Sequence, residues 1–385
     1  ILEDTDGDGI YETEKEFTDK VTGAQGLWFD GRTLYAVAAD QDKKAGLYKL
    51  EDKDGDDKAD SIETLTLFTG PMGEHGPHHI YRGIDGHPIL ILGNHTGIAD
   101  EEKRPLSPLD NYSEGQFLER YMDARGHAVN RWAPGGTIWR LDLKGGKHTL
   151  LSGGYRNPYD MDVNLEGEIF TWDSDMEWDI GMPWYRDVRT VHAVPGGDFG
   201  WRTGSGKYPK YYIDSLPPMD ELGRGSPVGM AFYQHYGFPK EYYDSLLLGD
   251  WSRGRILITK PVKDGATYKS ENEPKNLVYG EPLNVTDLKV APDGSVFFTM
   301  GGRDTEGGVY RVVDKGWSGG NWGEKVSGAM AAVRQPEPLS SWGHAAILKV
   351  KEELGDQFGP ELEKIARDTN AADLDRVRIL YLPPI

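Results

Sequence analysis

Cysteine is absent from the 385 residues, which excludes disulfides, thiol catalysis and covalent haem attachment within this segment and leaves the compartment undecided. Nor is there an apolar run of the length, near 18 residues, that a membrane-spanning helix needs, so no span is expected. Positive charge is scarce: 43 Lys and Arg face 63 Asp and Glu, a net of −20. That balance argues against nucleic acid or an anionic membrane surface as partner and suits a chain that binds divalent cations. A leader is missing too. Ile1 opens inside a repeat with no charged and hydrophobic stretch before it, and the start reads as processed or truncated. What abounds is turn chemistry: 50 Gly and 23 Pro are too many for a helical protein, while 37% hydrophobic content is ample for a large core. The composition is that of a turn-rich β-protein.

Two stretches near the start are imperfect copies, Leu2-Glu3-Asp4-Thr5-Asp6-Gly7-Asp8-Gly9 and Leu50-Glu51-Asp52-Lys53-Asp54-Gly55-Asp56-Asp57, set 48 residues apart. The offset is that of one propeller blade. Starting in them, Asp4, Asp6, Asp8 and Glu12, and again Asp52, Asp54, Asp56 and Asp60, fall at the first, third, fifth and ninth positions of a calcium loop. Calcium takes six to eight hard oxygen ligands, and the closing bidentate acid is Glu63 in the second copy but Lys15 in the first, which makes the first loop weaker. The short alternating apolar residues of Thr13 to Val21 and Ser61 to Phe68 do not suit a helix-loop-helix EF-hand. A plain polar turn rich in Asp and Gly remains the alternative for each loop.

Along the chain an Asp-Gly turn, a short alternating strand, a Gly and a second strand recur. Asp30-Gly31 leads into Leu34 to Val37 and then Gly46 to Leu50; Asp85-Gly86 leads into Ile89 to Leu92; Gly136 to Leu141 precedes Glu166 to Thr171. Leu246 to Asp250 precedes Gly254 to Ile258, and Asp293-Gly294 opens the last unit, closed by Gly308 to Val313. Period-two strands and turn signals throughout predict an all-β, six-bladed β-propeller over residues 1–314. A Gly- and Trp-rich linker over 315–335 and a short C-terminal helical segment over 336–385 follow. In that tail, Leu339 to Leu354 and Phe358 to Thr369 carry apolar residues at helical spacing. It reads as the opening of a helical repeat region, with a capping helix packed on the propeller as the alternative.

Four segments are too dense in special residues to be mere connections. The first holds Glu74-His75-Gly76-Pro77-His78-His79 and runs on to Asn94-His95-Thr96, concentrating histidines that can accept a proton near neutrality. The second is Tyr155-Arg156-Asn157-Pro158, a fork donor and an amide before a proline; an Arg that only bridges two blades is the plainer reading. The third, Asp173-Ser174-Asp175-Met176-Glu177-Trp178-Asp179, alternates acids that could ligate calcium or form a solvated turn. The fourth, Asp198-Phe199-Gly200-Trp201-Arg202, offers backbone carbonyls beside an aromatic platform.

In this order these pieces, with Pro227-Val228-Gly229-Met230-Ala231-Phe232, resemble the propeller domain of large haem-binding proteins of the membrane-bound-dehydrogenase type. More distantly they resemble the quinoprotein soluble glucose, aldose sugar and sorbosone dehydrogenases, whose cofactor is pyrroloquinoline quinone (PQQ). The resemblance implies a periplasmic or extracellular sugar or alcohol dehydrogenase, with a haem c domain or cytochrome as electron acceptor. It implies His75 as catalytic base with His78 as second choice, Arg156 and Asn157 on the quinone and the reacting centre, and calcium at the Gly200 and Trp201 carbonyls. Where those dehydrogenases place two clamp arginines before the Asp of the final blade, this chain has Asn284-Val285-Thr286-Asp287, and Arg253 and Arg255 stand as the substitutes. Arg202 replaces the proline expected after Trp201.

Two other functions use the same residues. With 11 Trp and 20 Tyr to stack on sugar rings, a calcium-stabilised propeller could bind carbohydrate without redox chemistry. A metal-assisted lyase or lactonase acting on acidic sugars would employ His75, Arg156 and the metal differently.

Overall fold

The computed structural model describes residues 1–6, 10–100, 102, 126–177, 185–203, 206–316 and 326–382. Among them the β-strands form five antiparallel blades around one axis. Blade 1 comprises Val21–Asp30, Thr33–Asp40, Ala45–Glu51 and Ser61–Thr69, with Gly97–Ile98 added at its outer edge. Blade 2 is Pro77–Arg82, Pro88–Leu92, Gly136–Arg140 and Thr149–Tyr155; blade 3 is Pro158–Val163, Ile169–Asp173, Arg189–His192 and Asp220–Glu221. Blade 4 is Pro227–Tyr233, Ser245–Asp250, Arg255–Thr259 and Lys275–Tyr279, and blade 5 has three strands, Val285–Val290, Val296–Gly302 and Thr305–Val312.

The expected count of six is therefore corrected to five. The units at Ile89 to Leu92 and Gly136 to Leu141 read as separate blades, but Thr137 pairs with Leu92 and Ile138 with Ile91, so they are neighbouring strands of one sheet. The chain between them lends Gly97–Ile98 to blade 1, where Ile98 pairs with Phe68.

Alternation of side chains places the core between blades rather than in one central mass. Leu246 and Leu248 pack with Phe170 and Trp172 of blade 3, while Leu247 turns the other way to Val285 and Leu288 of blade 5. Fully buried aromatics such as Trp172, Phe170 and Phe232 fill these seams, each contributing on the order of 2–3 kcal/mol by burial.

The first strand of each blade lines the axis. In blades 2, 3 and 4 this strand opens alike: Pro77-His78-His79-Ile80, Pro158-Tyr159-Asp160-Met161 and Pro227-Val228-Gly229-Met230, each with an irregular register after the proline. Proline suits the first position, where no ladder donor is needed. The third residue of each, His79, Asp160 and Gly229, faces an axial chamber of about 240 Å³ together with Asp287 of blade 5. Carboxylates stitch the inner strands together: Asp160 accepts the Met230 N–H at 2.8 Å and Asp162 the Phe232 N–H at 2.7 Å.

The tail is helical at Ala329–Val333, Ser341–Leu354, Phe358–Arg367 and Asp373–Arg378. Ser340 caps the longest helix by accepting the Gly343 N–H through its side chain. These helices pack on the underside of the propeller. The Trp342 indole donates to the Val290 carbonyl at 3.1 Å, and the Glu337 carboxylate accepts the Gln234 N–H at 2.7 Å.

Candidate functional site

In an antiparallel blade, the loop that enters the first strand and the turn that joins the second to the third lie at one rim. At that rim loops of blades 2 to 5 enclose a mouth of about 650 Å³. Glu74 comes from blade 2, Arg156, Asn157, Tyr159, Ser174 and Asp175 from blade 3, Arg224, Trp251 and Arg253 from blade 4, and Thr286 and Arg303 from blade 5. Four arginines against two acids give the mouth a positive balance in a chain of net −20.

Each arginine is held from a different side. The Arg156 guanidinium donates to Ser174 Oγ at 3.0 Å and to His127 Nδ1 at 2.8 Å. Arg224 stacks over the Tyr185 ring at 4.8 Å, and its carbonyl accepts from Arg253 Nε at 3.3 Å. Arg303 lies over the Trp251 ring and crosses the opening to donate to Glu74 at 3.0 Å. Tyr159 and Thr286 form the floor, since they line both the mouth and the axial chamber below it.

The sequence singled out Arg156, Asn157 and Arg253, which do meet here. Arg255 does not: it is turned away from the mouth and binds Asp250 at 3.0 Å. Sequence reasoning missed Arg224, Arg303, Glu74, Trp251 and His127. Rim parity was the available signal for Arg303, which sits in the turn between the second and third strands of blade 5.

His75 and His78 stand behind this wall rather than in it. His75 is buried, with Nδ1 2.6 Å from Asn94 Oδ1, and its ring contacts those of His95 and His127. Burial, followed by the nearby Arg156 cation, pushes its pKa well below the ordinary range, so it is neutral at neutral pH. His78 is fully buried beside Tyr159, and its Nε2 lies 2.8 Å from Asn157 Oδ1. Burial lowers its pKa to about 4. Together His75, His95 and His127 form a run of imidazoles from the interior to the exposed His127.

The proposed calcium ligands divide. Asp173 is fully buried and engaged on both oxygens, by the backbone N–H groups of Arg156 and Asn157 and by Arg189. Asp175 lines the mouth and accepts from the Tyr185 hydroxyl at 2.8 Å. The side chain of Glu177 lies outside the described residues. Gly200 and Trp201 are not part of the mouth lining; the Gly200 carbonyl accepts from Tyr208 N at 3.0 Å and that of Trp201 from Arg202 Nη1 at 2.8 Å. A calcium ion held there beside the mouth does not fit this arrangement.

The two N-terminal acidic loops lie side by side. Ligand oxygens of Asp4, Asp6 and Glu12 converge within 4.8 Å of one another, as do those of Asp52, Asp54 and Asp56, while Asp8 lies outside the described residues. Lys15, standing where the first loop lacks its closing acid, bonds both Glu3 at 2.8 Å and Asp57 of the second loop at 2.9 Å. Asp60 accepts the Lys53 N–H at 2.7 Å, and Glu63 is carried off on the strand Ser61–Thr69. The second loop joins two strands, Ala45–Glu51 and Ser61–Thr69, as a hairpin.

Solved structures share this fold. A putative glucose dehydrogenase from Thermus thermophilus aligns with a TM-score of 0.54 at 16% identity, covering 78% of this chain and 87% of that one. The PQQ-bound aldose sugar dehydrogenase of Streptomyces coelicolor aligns with a TM-score of 0.53 at 12% identity over 76% of this chain and 81% of that one. At such identity the likeness shows the propeller fold alone. No curated protein matches the sequence. Residues 1–299 match the family described as a domain of unknown function, DUF7133, and the chain belongs to that family.

Proposed function

We propose that the mouth binds a planar polycarboxylate of the PQQ kind and that the protein is a dehydrogenase-like propeller acting on a sugar or small alcohol. The observation that carries this reading is the convergence of Arg156, Arg224, Arg253 and Arg303 with the Asn157 amide on one mouth of about 650 Å³. Clamp arginines absent from blade 5 near Asn284 and Thr286 are replaced by arginines from blade 4 and from the blade 5 hairpin. Charge-assisted hydrogen bonds from such donors are worth about 1.5–3 kcal/mol each. Trp251 supplies an aromatic wall and Tyr159 the floor. The bound quinone would supply two-electron acceptor chemistry. The chain's own residues orient the ligand, and the imidazole run of His75, His95 and His127 beside Arg156 accepts the hydroxyl proton of the substrate. His75 is neutral there and so keeps a lone pair to offer, but burial and the Arg156 cation make it a weaker base than an ordinary imidazole, and the proton enters the run from its mouth-side end. Calcium belongs, in this reading, to the paired acidic loops near the N-terminus, where it would brace blade 1.

Titration of purified protein with PQQ, with and without Ca²⁺, followed by tryptophan quenching and then by dye reduction with a panel of sugars, tests the proposal. Saturable quenching and sugar-dependent dye reduction are expected. Saturable binding of glucuronate with no quinone binding would replace it with the acidic-sugar lyase or lactonase reading. Binding of neutral oligosaccharides alone would replace it with the carbohydrate-binding one.

A further inference from the structure

Blades 3 and 4 carry the same buried device at the same ladder position. In blade 3 the second strand ends at Asp173, which pairs with Pro158 on one side and Arg189 on the other. In blade 4 it ends at Asp250, which pairs with Pro227 and Arg255. One oxygen of each carboxylate faces the loop before the proline: Asp173 Oδ1 accepts Arg156 N at 3.0 Å and Asn157 N at 2.9 Å, and Asp250 Oδ1 accepts Ser226 N at 2.9 Å. Asp250 Oδ1 also takes Arg253 N at 3.3 Å. The other oxygen is clamped by the arginine that opens the third strand, Arg189 Nη2 at 3.0 Å in blade 3 and Arg255 Nε at 3.0 Å in blade 4. Both carboxylates are buried, to 0% and 1% exposure. Arg189 also donates to the Gly154 carbonyl at 3.2 Å, and Lys207 approaches Asp173 to 3.5 Å while donating to the Ser174 carbonyl. In blades 2 and 5 the equivalent positions hold Leu92 and Met300.

We infer that Asp173 and Asp250 are equivalent positioning residues, each fixing a mouth loop by its backbone so that Arg156 and Asn157, and Arg253, point at the ligand. The device occurs in the two blades that supply three of the four mouth arginines. It holds backbone rather than side chain: the Arg156 guanidinium is seated separately on Ser174 and His127, and Arg253 Nε on the Arg224 carbonyl, both at the mouth. The inference rests on the polyanion reading of the mouth for its binding test, though not for its structural one.

The two possible roles differ in sign. If these carboxylates acted only through their charge, removing one beneath an anion site would tighten PQQ binding. Positioning predicts the opposite: Asp173→Asn and Asp250→Asn each raise the PQQ Kd about tenfold or more, the loss that one misdirected charge-assisted hydrogen bond brings. In Asp173→Asn the new amide must turn its NH₂ toward Arg189 or toward the backbone donors. The double variant with Arg189→Gln accepts that NH₂ and restores both the loop and the affinity. Where the asparagine variants do not fold, Asp173→Glu and Asp250→Glu keep the charge, displace it by one methylene and still weaken binding. Hydrogen exchange measured by mass spectrometry gives an arm that needs no ligand: the peptides holding Arg156 and Asn157, or Ser226 and Arg253, lose protection in the matching variant only. Tighter PQQ binding, or unchanged exchange in folded variants, overturns the inference. Wild-type protein that binds no PQQ overturns the reading of the mouth, while the exchange result still decides the positioning role.

Discussion

Arg253 and Arg255 stand two positions apart and do unlike things, because the turn between the second and third strands of blade 4 sends one to the mouth and keeps the other on the ladder. Arg303 allows a cleaner separation of binding from folding. Its ion pair with Glu74 is exposed on both sides, 68% and 66%, and such pairs contribute about 0–1 kcal/mol. Arg303→Ala is therefore expected to leave the unfolding midpoint nearly unchanged while weakening PQQ binding about tenfold; equilibrium denaturation beside a quenching titration reads both. A lowered midpoint with intact affinity would assign Arg303 to the rim's structure. Residue types alone pointed to Arg156 and Asn157, since a fork donor or amide in a Gly/Pro loop is legible without coordinates, while Arg253 was reached, with Arg255, only as a substitute for the clamp arginines that the resemblance implies. Arg224 and Arg303 were not, because their role depends on which rim a turn occupies, and that requires the strand count between them to be right. Asp173 was visible as an acid and read as a calcium ligand or as part of a solvated turn: alternation in Trp172-Asp173-Ser174-Asp175 suggests either, whereas the strand continues through Asp173 and buries it.

Strands were the legible elements. Asp-Gly turns and alternating apolar residues located the second strand of every blade and the third of all but blade 3, and the helical spacing of the tail found its two longest helices. Grouping strands into blades failed at blade 2, where the chain between Ile98 and Gly136 separates two strands that are hydrogen-bonded to each other. The proline-led inner strands are the better ruler. Pro77, Pro158 and Pro227 each begin one, and position three of each opens onto the axis. At that position blade 4 has glycine, and the reason is spatial: a Cβ on Gly229 would fall 2.5 Å from both the Cα and Oδ1 of Asp287. Because one of those atoms is backbone on an adjacent inner strand, rotamer change cannot relieve the contact. Gly229→Ala is expected to cost about 2–3 kcal/mol, seen as a lower denaturation midpoint. A midpoint equal to wild type would mean that blades 4 and 5 can separate at the axis without penalty.

Over the whole molecule, buried histidines set the response to pH. Burial lowers His78, His235 and His344 to about 4 and pushes His75 and His79 down as well. A histidine depressed in the folded state binds its proton more readily when unfolded, so its contribution is complete above the unfolded value near 6.5. It is then lost as pH falls toward the folded one. At pH 5 each of the three at about 4 costs roughly 2 kcal/mol relative to pH 7. The axis works against this. Asp160, Asp162, Asp287 and Glu337 surround Lys289, and burial raises all four, Asp162 to about 6. Raised acids make the fold less stable as pH climbs through the range between their unfolded and folded values, and return that stability on acidification, about 1 kcal/mol for Asp162 between pH 6 and 5. The three histidines at about 4 outweigh the return from Asp162. Below about pH 4 Asp173 adds its own loss, since burial would raise its carboxyl but Lys207 and Arg189 hold it below the ordinary value. Calorimetry across pH 8 to 4 is therefore expected to show a midpoint that is level down to about pH 6.5 and falls below it. His235→Gln should flatten part of that fall. A midpoint that rises between pH 7 and 5 would mean that the axial acids, and not the histidines, dominate the proton balance of the fold.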